Sequence, residues 1–135
     1  YPKLKIEFAG ANNPLWIIRE NQLIQVSGDK FPIWAFVGEE LQQFSNHEFE
    51  LIKGDCVYIF TDGFADQFGG PKGKKFKYKQ FETLLIKNHK KPMEEQKEIL
   101  SRTIKDWIGD LEQIDDILVI GIRIWWEGSS FSILI

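Results

Sequence analysis

What this sequence has little of narrows it first. It carries one cysteine, Cys56, in 135 residues, which excludes an internal disulfide and suits a reducing cytoplasm. Cys56 is expected as a small buried hydrophobe. No apolar run approaches the ~20 residues a spanning helix needs, and no basic-then-apolar signal pattern opens the chain. Contact with a membrane is therefore not expected of this segment. Neither charge is in large excess: 17 Lys and Arg stand against 20 Asp and Glu, a formal net charge of -3. That balance excludes a general attraction to nucleic acid or anionic lipid. Basic residues gather in one place, Lys72, Lys74, Lys75, Lys77 and Lys79. Histidine is scarce, and neither His47 nor His89 has a Ser or Cys at triad spacing. His47 reads as a strand residue. The chain also begins without Met, on Tyr1-Pro2 running straight into a strand pattern, which predicts a piece of a longer polypeptide.

With 43% hydrophobic and 27% charged residues, the chain can bury a core, and one domain over 1–135 is expected. No internal repeat, low-complexity segment or long linker divides it. Leu4, Ile6 and Phe8 alternate with Lys5 and Glu7 as in a strand. Leu15–Arg19 and Leu23–Val26, separated by Glu20-Asn21-Gln22, predict a hairpin. Residues 31–37 are apolar but interrupted by Pro32, which predicts an edge or lining segment. Residues 44–52 alternate again. Tyr78, Phe81, Leu84 and Leu85, and then Met93, Gln96, Leu100, Ile104, Trp107 and Ile108, recur at helical spacing. Pro92 suits the first position of that second helix, and Gly109 suits its stop.

Val57–Phe60 is an unbroken apolar run between Gly54-Asp55 and Asp62-Gly63, as in a strand covered on both faces with a carboxylate at its tip. By itself Thr61-Asp62-Gly63 also reads as an ordinary turn. A second continuous apolar strand is predicted from Asp115 to Trp126, with Asp115 and Asp116 at its start and a short strand in 131–135 after it. If the two long strands pair antiparallel, Asp62, Asp115 and Asp116 converge within a few ångströms at one sheet edge. Unpaired carboxylates that close repel unless a cation neutralises them. A carboxylate cluster without His or Cys favours hard ions, Mn²⁺ or Mg²⁺. Gly63 frees the backbone to approach a ligand.

Other chemistries fail on the letters. No Arg follows Cys56 at the spacing of a cysteine phosphatase loop. Gly69 to Lys75 is short by one for a P-loop and lacks its Ser or Thr. Asp62 to Asp66 does not match a calcium loop. A magnesium-dependent nuclease needs basic surface that the composition does not supply.

Four segments together resemble a known family. Phe8 to Leu15 is similar to its "AGxNPP" entry, Pro32-Ile33 to its "PIG" element, Gly54-Asp55 through Thr61-Asp62-Gly63 to its "GDxLxxYTDG" core, and Gln113 to Asp116 to its "QxDDxT" close. In that order over some 120 residues they resemble the C-terminal part of a SpoIIE-type domain, a bacterial branch of the metal-dependent serine/threonine phosphatases (PPM, phosphatase 2C class).

The resemblance implies an α/β (α+β) fold, an antiparallel β-sandwich flanked by helices and present here as a partial domain, with a binuclear Mn²⁺ or Mg²⁺ centre at one sheet edge. It implies metal ligation by Asp62 and Asp115, with catalytic consequence, a close backbone turn at Gly63, and a supporting role for Asp116. The implied substrate is a phosphorylated bacterial signalling protein. Trp34 and Leu118 depart from the family's Gly and Thr. The family's first metal-binding Asp and its Asp-x-x-Gly element have no match in the chain, so the fragment alone is expected to be inactive and to self-associate through exposed sheet edges. A different class of reading is a non-catalytic partner-binding or dimerisation module with the same fold, using Lys72 to Lys79, Trp125 and Trp126 as contact surface.

Overall fold

A computed structural model describes residues 4–10, 12–28, 36–37, 40–41, 45–125 and 130–133. In chain order the strands are β1 (Leu4–Phe8), β2 (Leu15–Arg19), β3 (Gln22–Val26), β4 (Phe36–Val37), β5 (Glu40–Leu41), β6 (His47–Leu51) and β7 (Cys56–Phe60). A one-turn helix α1 (Gly63–Asp66) follows, then β8 (Phe68–Gly69), β9 (Lys74–Lys75), α2 (Tyr78–Asn88), α3 (Met93–Ile108), β10 (Val119–Arg123) and β11 (Ser130–Ile133).

The main sheet has five strands in the order β11-β10-β7-β2-β3, every neighbouring pair antiparallel. Strand alternation sorts its side chains into two cores. Trp16, Ile18, Cys56, Tyr58 and Phe60 face one way and pack with Phe81, Leu85, Leu100 and Ile104 of α2 and α3. Leu15, Ile17 and Val57 face the other way, toward Leu51 and the half-buried Ile6, Phe8 and Phe49 of the β1–β6 ribbon. The result is helices, a sheet and a second two-stranded sheet in layers, the mixed α/β arrangement expected.

Local chemistry explains the joints. Glu20 and Asn21 both take positive φ, 48° and 64°, as a two-residue hairpin loop of matching twist requires. Tyr58 donates to Gln96 Oε1 at 2.7 Å, and Gln96 Nε2 donates to the His89 and Lys91 carbonyls, so a buried amide ties α3 to the sheet and to the end of α2.

Several expectations change. Pro92 lies one residue before α3 rather than in its first position, with ψ at 147°, which a helix does not allow. Ile59 is 40% exposed, so β7 is covered on both faces only as far as Val57, where the β1–β6 ribbon stops covering it. The predicted strand from Asp115 begins only at Val119, because Leu118 directs its backbone N–H to the Thr61 hydroxyl instead of continuing a strand ladder. Residues 31–35, with Pro32-Ile33 and Trp34, and Trp126 lie outside the described residues. Phe36-Val37 pairs with Glu40-Leu41.

Candidate functional site

The site is built where β7 ends. Val119 pairs with Phe60, and one step beyond the ladder Thr61 N–H donates to the Leu118 carbonyl at 3.0 Å. The Thr61 hydroxyl then donates to the Asp116 carbonyl at 2.8 Å and accepts from Leu118 N–H at 3.0 Å. One small side chain thus pins the irregular approach to β10 against the tip of β7. Gly63 completes the contact, since a Cβ there would overlap the Asp116 carbonyl. The Asp62-Gly63 and Asp115-Asp116 dipeptides, 53 positions apart in sequence, are held at one rim of the main sheet.

The carboxylates at that rim are exposed. Asp62 occupies the residue before α1, yet its side chain does not cap the helix. It accepts instead from the Tyr78 hydroxyl, 2.7 Å from Oδ1. Tyr78 opens α2, rests edge-on against Trp16 and near Phe60, and has its phenol pKa raised, first by burial and then by that hydrogen bond, so it is a donor throughout the physiological range. Asp115 Oδ1 accepts from Asp116 N–H at 2.8 Å, which folds that carboxylate back on its own chain. Beside Asp62 a cavity of about 430 Å³ is lined by Asn12, Asn13, Trp16, Gln25 and Tyr78.

Sequence reasoning did not single out Tyr78, Thr61 or the Asn12-Asn13 wall as parts of this rim. Tyr78 shares the helical face of Phe81 and Leu85, but it stands at the first position of α2, where its side chain is 39% exposed and reaches the rim.

Among the described residues no group of three or more His, Cys, Asp or Glu is arranged to hold a metal ion. The expected convergence of three carboxylates within a few ångströms is therefore not met as a ready-made cluster. The backbones meet, but the Asp115 side chain turns toward its own chain and that of Asp62 toward Tyr78. The donor chemistry, carboxylate and backbone oxygen only, fits a hard divalent cation in kind. It does not supply enough ligands to enclose one.

A family model described as Stage II sporulation protein E (SpoIIE) matches residues 3–125. The chain belongs to the SpoIIE family. Its fold is that of the phosphatase 2C class, as solved structures show. It is similar to the SiaA-PP2C domain of Pseudomonas aeruginosa at 30% identity and a TM-score of 0.78, over 90% of this chain and 46% of that one. It is similar in fold to the Mn-presoaked phosphatase domain of SpoIIE from Bacillus subtilis, at 18% identity and a TM-score of 0.59, over 92% of this chain and 56% of that one. A longer Bacillus subtilis SpoIIE structure, with a fragment of its regulatory domain, gives 21% identity and a TM-score of 0.62 over 89% of this chain and 33% of that one. This SpoIIE chain thus spans about half or less of the solved chains it matches. No curated protein matches it.

Proposed function

We propose that this SpoIIE chain supplies one side of the active site of a metal-dependent serine/threonine phosphoprotein phosphatase, and that a bacterial signalling protein in the cytoplasm is its substrate. The observation that carries the reading is the stitching of Asp62-Gly63 to Asp115-Asp116 by Thr61 at the rim of the sheet. Asp62 and Asp115 are the residues assigned to hold Mn²⁺ or Mg²⁺, Gly63 gives close backbone approach, and Asp116 supports the loop through its carbonyl. Divalent ions held there would supply an activated water and charge to polarise a phosphoryl group. The chain's own residues position: Thr61 fixes the loop, Tyr78 holds one oxygen of Asp62, and the cavity walled by Asn12, Asn13 and Trp16 offers polar and aromatic contact beside the carboxylate.

The described residues offer too few ligands to enclose an ion, and the chain covers 46% and 56% of the two solved chains it matches, so further ligands are assigned to the part of the fold beyond this chain. The test is Mn²⁺-dependent release of phosphate from a phosphoserine protein by the longest natural polypeptide that contains the chain. Asp62→Asn and Asp115→Asn each lower turnover roughly a thousandfold, the loss expected when several kcal/mol of metal-borne charge stabilisation is removed. Full activity in either variant rejects the assignment.

A further inference from the structure

The lysine cluster has no part in the site as described, yet the fold fixes it beside that site. Lys72, Lys74, Lys75, Lys77 and Lys79 are all exposed, and residues 67–79 contain no acid. Setting those five charges aside leaves -8 on the rest of a chain whose net charge is -3. The ion pairs of Lys75 and Lys79, to Asp66 and Glu82, are long, each 3.5 Å, and Lys75 also lies over the Phe68 ring. Lys72, Lys74 and Lys77 have no ion-pair partner among the described residues.

A run of lysines on a loose loop is ordinarily solvated and nothing more. This one runs from the β8–β9 hairpin into the first turn of α2, and the hairpin is clamped. Gly69 and Gly70 lie so close to Trp107 that neither has room for a Cβ, and Gly70 N–H donates to the Trp107 carbonyl at 2.8 Å. Phe76 is buried between Phe64 and Trp107. The backbone N–H groups of Phe76 and Lys77 donate to the carbonyls of Gln67 and Ala65 at 2.9 and 2.8 Å. Ala65 belongs to α1, whose Asp66 N–H donates to the Asp62 carbonyl, and the residue after Lys77 is the Tyr78 that bonds Asp62. A continuous set of hydrogen bonds therefore joins the patch to the candidate metal rim.

An acidic rim repels an anionic substrate at long range, whereas fixed cations at its border reverse the local field and pay little ordering entropy on binding. We propose that the β8–β9 lysine hairpin is a docking surface for an acidic segment next to the phosphoserine or phosphothreonine of the substrate protein. The proposal rests on the phosphatase reading for the site it serves, but the surface can be tested apart from it.

The probe is a phosphoserine peptide flanked by Asp and Glu, compared with the same peptide carrying Asn and Gln, each offered with Mn²⁺ to the longest natural polypeptide containing the chain. The wild type prefers the acidic peptide in kcat/KM, mostly through KM, and raising salt from 50 to about 300 mM erodes the preference because exposed charges are screened beyond ~10 Å. Lys72→Glu with Lys74→Glu lowers the preference about tenfold. Lys97→Glu with Arg102→Glu, on exposed positions of α3, leaves it in place. Fluorescence anisotropy of the labelled acidic peptide follows the same order and does not require turnover. Absence of turnover on every substrate, with acidic-peptide binding still lost in the hairpin variant, rejects the phosphatase reading and keeps the surface. Equal binding of both peptides, or no change in the hairpin variant, overturns the docking surface whatever the activity.

Discussion

Strand β7 carries an aspartate just outside each end, and the two have opposite fates. Asp55 is 1% exposed and every part of its carboxylate is used. Arg19 grips it with two donors, at 2.9 Å to Oδ1 and 2.6 Å to Oδ2, and Ile52 N–H adds a third at 2.9 Å. Arg19 is in turn held by the Glu50 carbonyl and lies over the Phe49 ring, and its pKa is raised chiefly by the hydrogen bond to Asp55. Asp62 is exposed and takes a single side-chain donor, Tyr78, among the described residues. A carboxylate saturated by charge-assisted hydrogen bonds is a structural tie. One held by a single phenol on an exposed rim keeps a free oxygen. The contrast assigns stability to the Asp55 end and leaves the Asp62 carboxylate with one oxygen that no side chain among the described residues engages.

The largest effect expected of this contrast is on stability. Asp55→Ala leaves the Arg19 guanidinium without its partner and costs about 3 kcal/mol in urea unfolding, at the low end for a broken buried pair because Arg19 keeps some solvent. Asp62→Ala changes the same measurement by less than about 0.5 kcal/mol. Equal losses at the two positions would erase the distinction. Gly63→Ala comes next. Its methyl must push back the Asp116 carbonyl, an overpacking cost of about 2 kcal/mol that also separates the two acidic segments.

Tyr78→Phe is a smaller and more specific perturbation. It keeps the ring against Trp16 and Phe60 and removes only the donor to Asp62. Calorimetric titration of the natural polypeptide with Mn²⁺ is expected to show about tenfold weaker binding, the usual scale for losing a group that orients a ligand. Unchanged affinity would show that Asp62 needs no such support.

The smallest effect belongs to the structural end. Burial, and then the charges of Lys90 and Arg123, lower the His89 pKa below the ordinary imidazole value of about 6.5. The folded state therefore prefers the neutral ring. The stability this contributes is fully present above pH 6.5 and is lost as pH falls from there through the lowered native value. His89→Gln is expected to flatten the acid side of a melting-temperature profile between pH 7 and 5, and an unaltered slope would contradict it.

Much of this arrangement was legible in the letters, and the failures have physical causes. The uninterrupted Val57–Phe60 run and the Asp-Gly after it placed the strand and its tip, because a buried strand must be apolar and must end where polar backbone meets solvent. The helix stripes of α2 and α3 were equally plain from Phe81, Leu85, Leu100 and Ile104. The start of β10 was read four residues early, since Ile117 and Leu118 look like strand while the Thr61 hydroxyl takes the hydrogen bond that would have continued it. Tyr78 escaped because its partner lies 16 positions back and is reached only through the Lys77 turn, a non-glycine residue at φ 74°. Contacts that depend on one unusual backbone angle leave little trace in residue patterning.

The central claim is that the Asp62 end of β7, and not the Asp55 end, receives the divalent ion. A Mn²⁺-soaked crystal of the natural polypeptide, with its anomalous difference map, addresses this directly. The account predicts a peak within coordination distance of Asp62 and Asp115 carboxylate oxygens. A map with no peak at that rim, or with one at Asp55 instead, contradicts it.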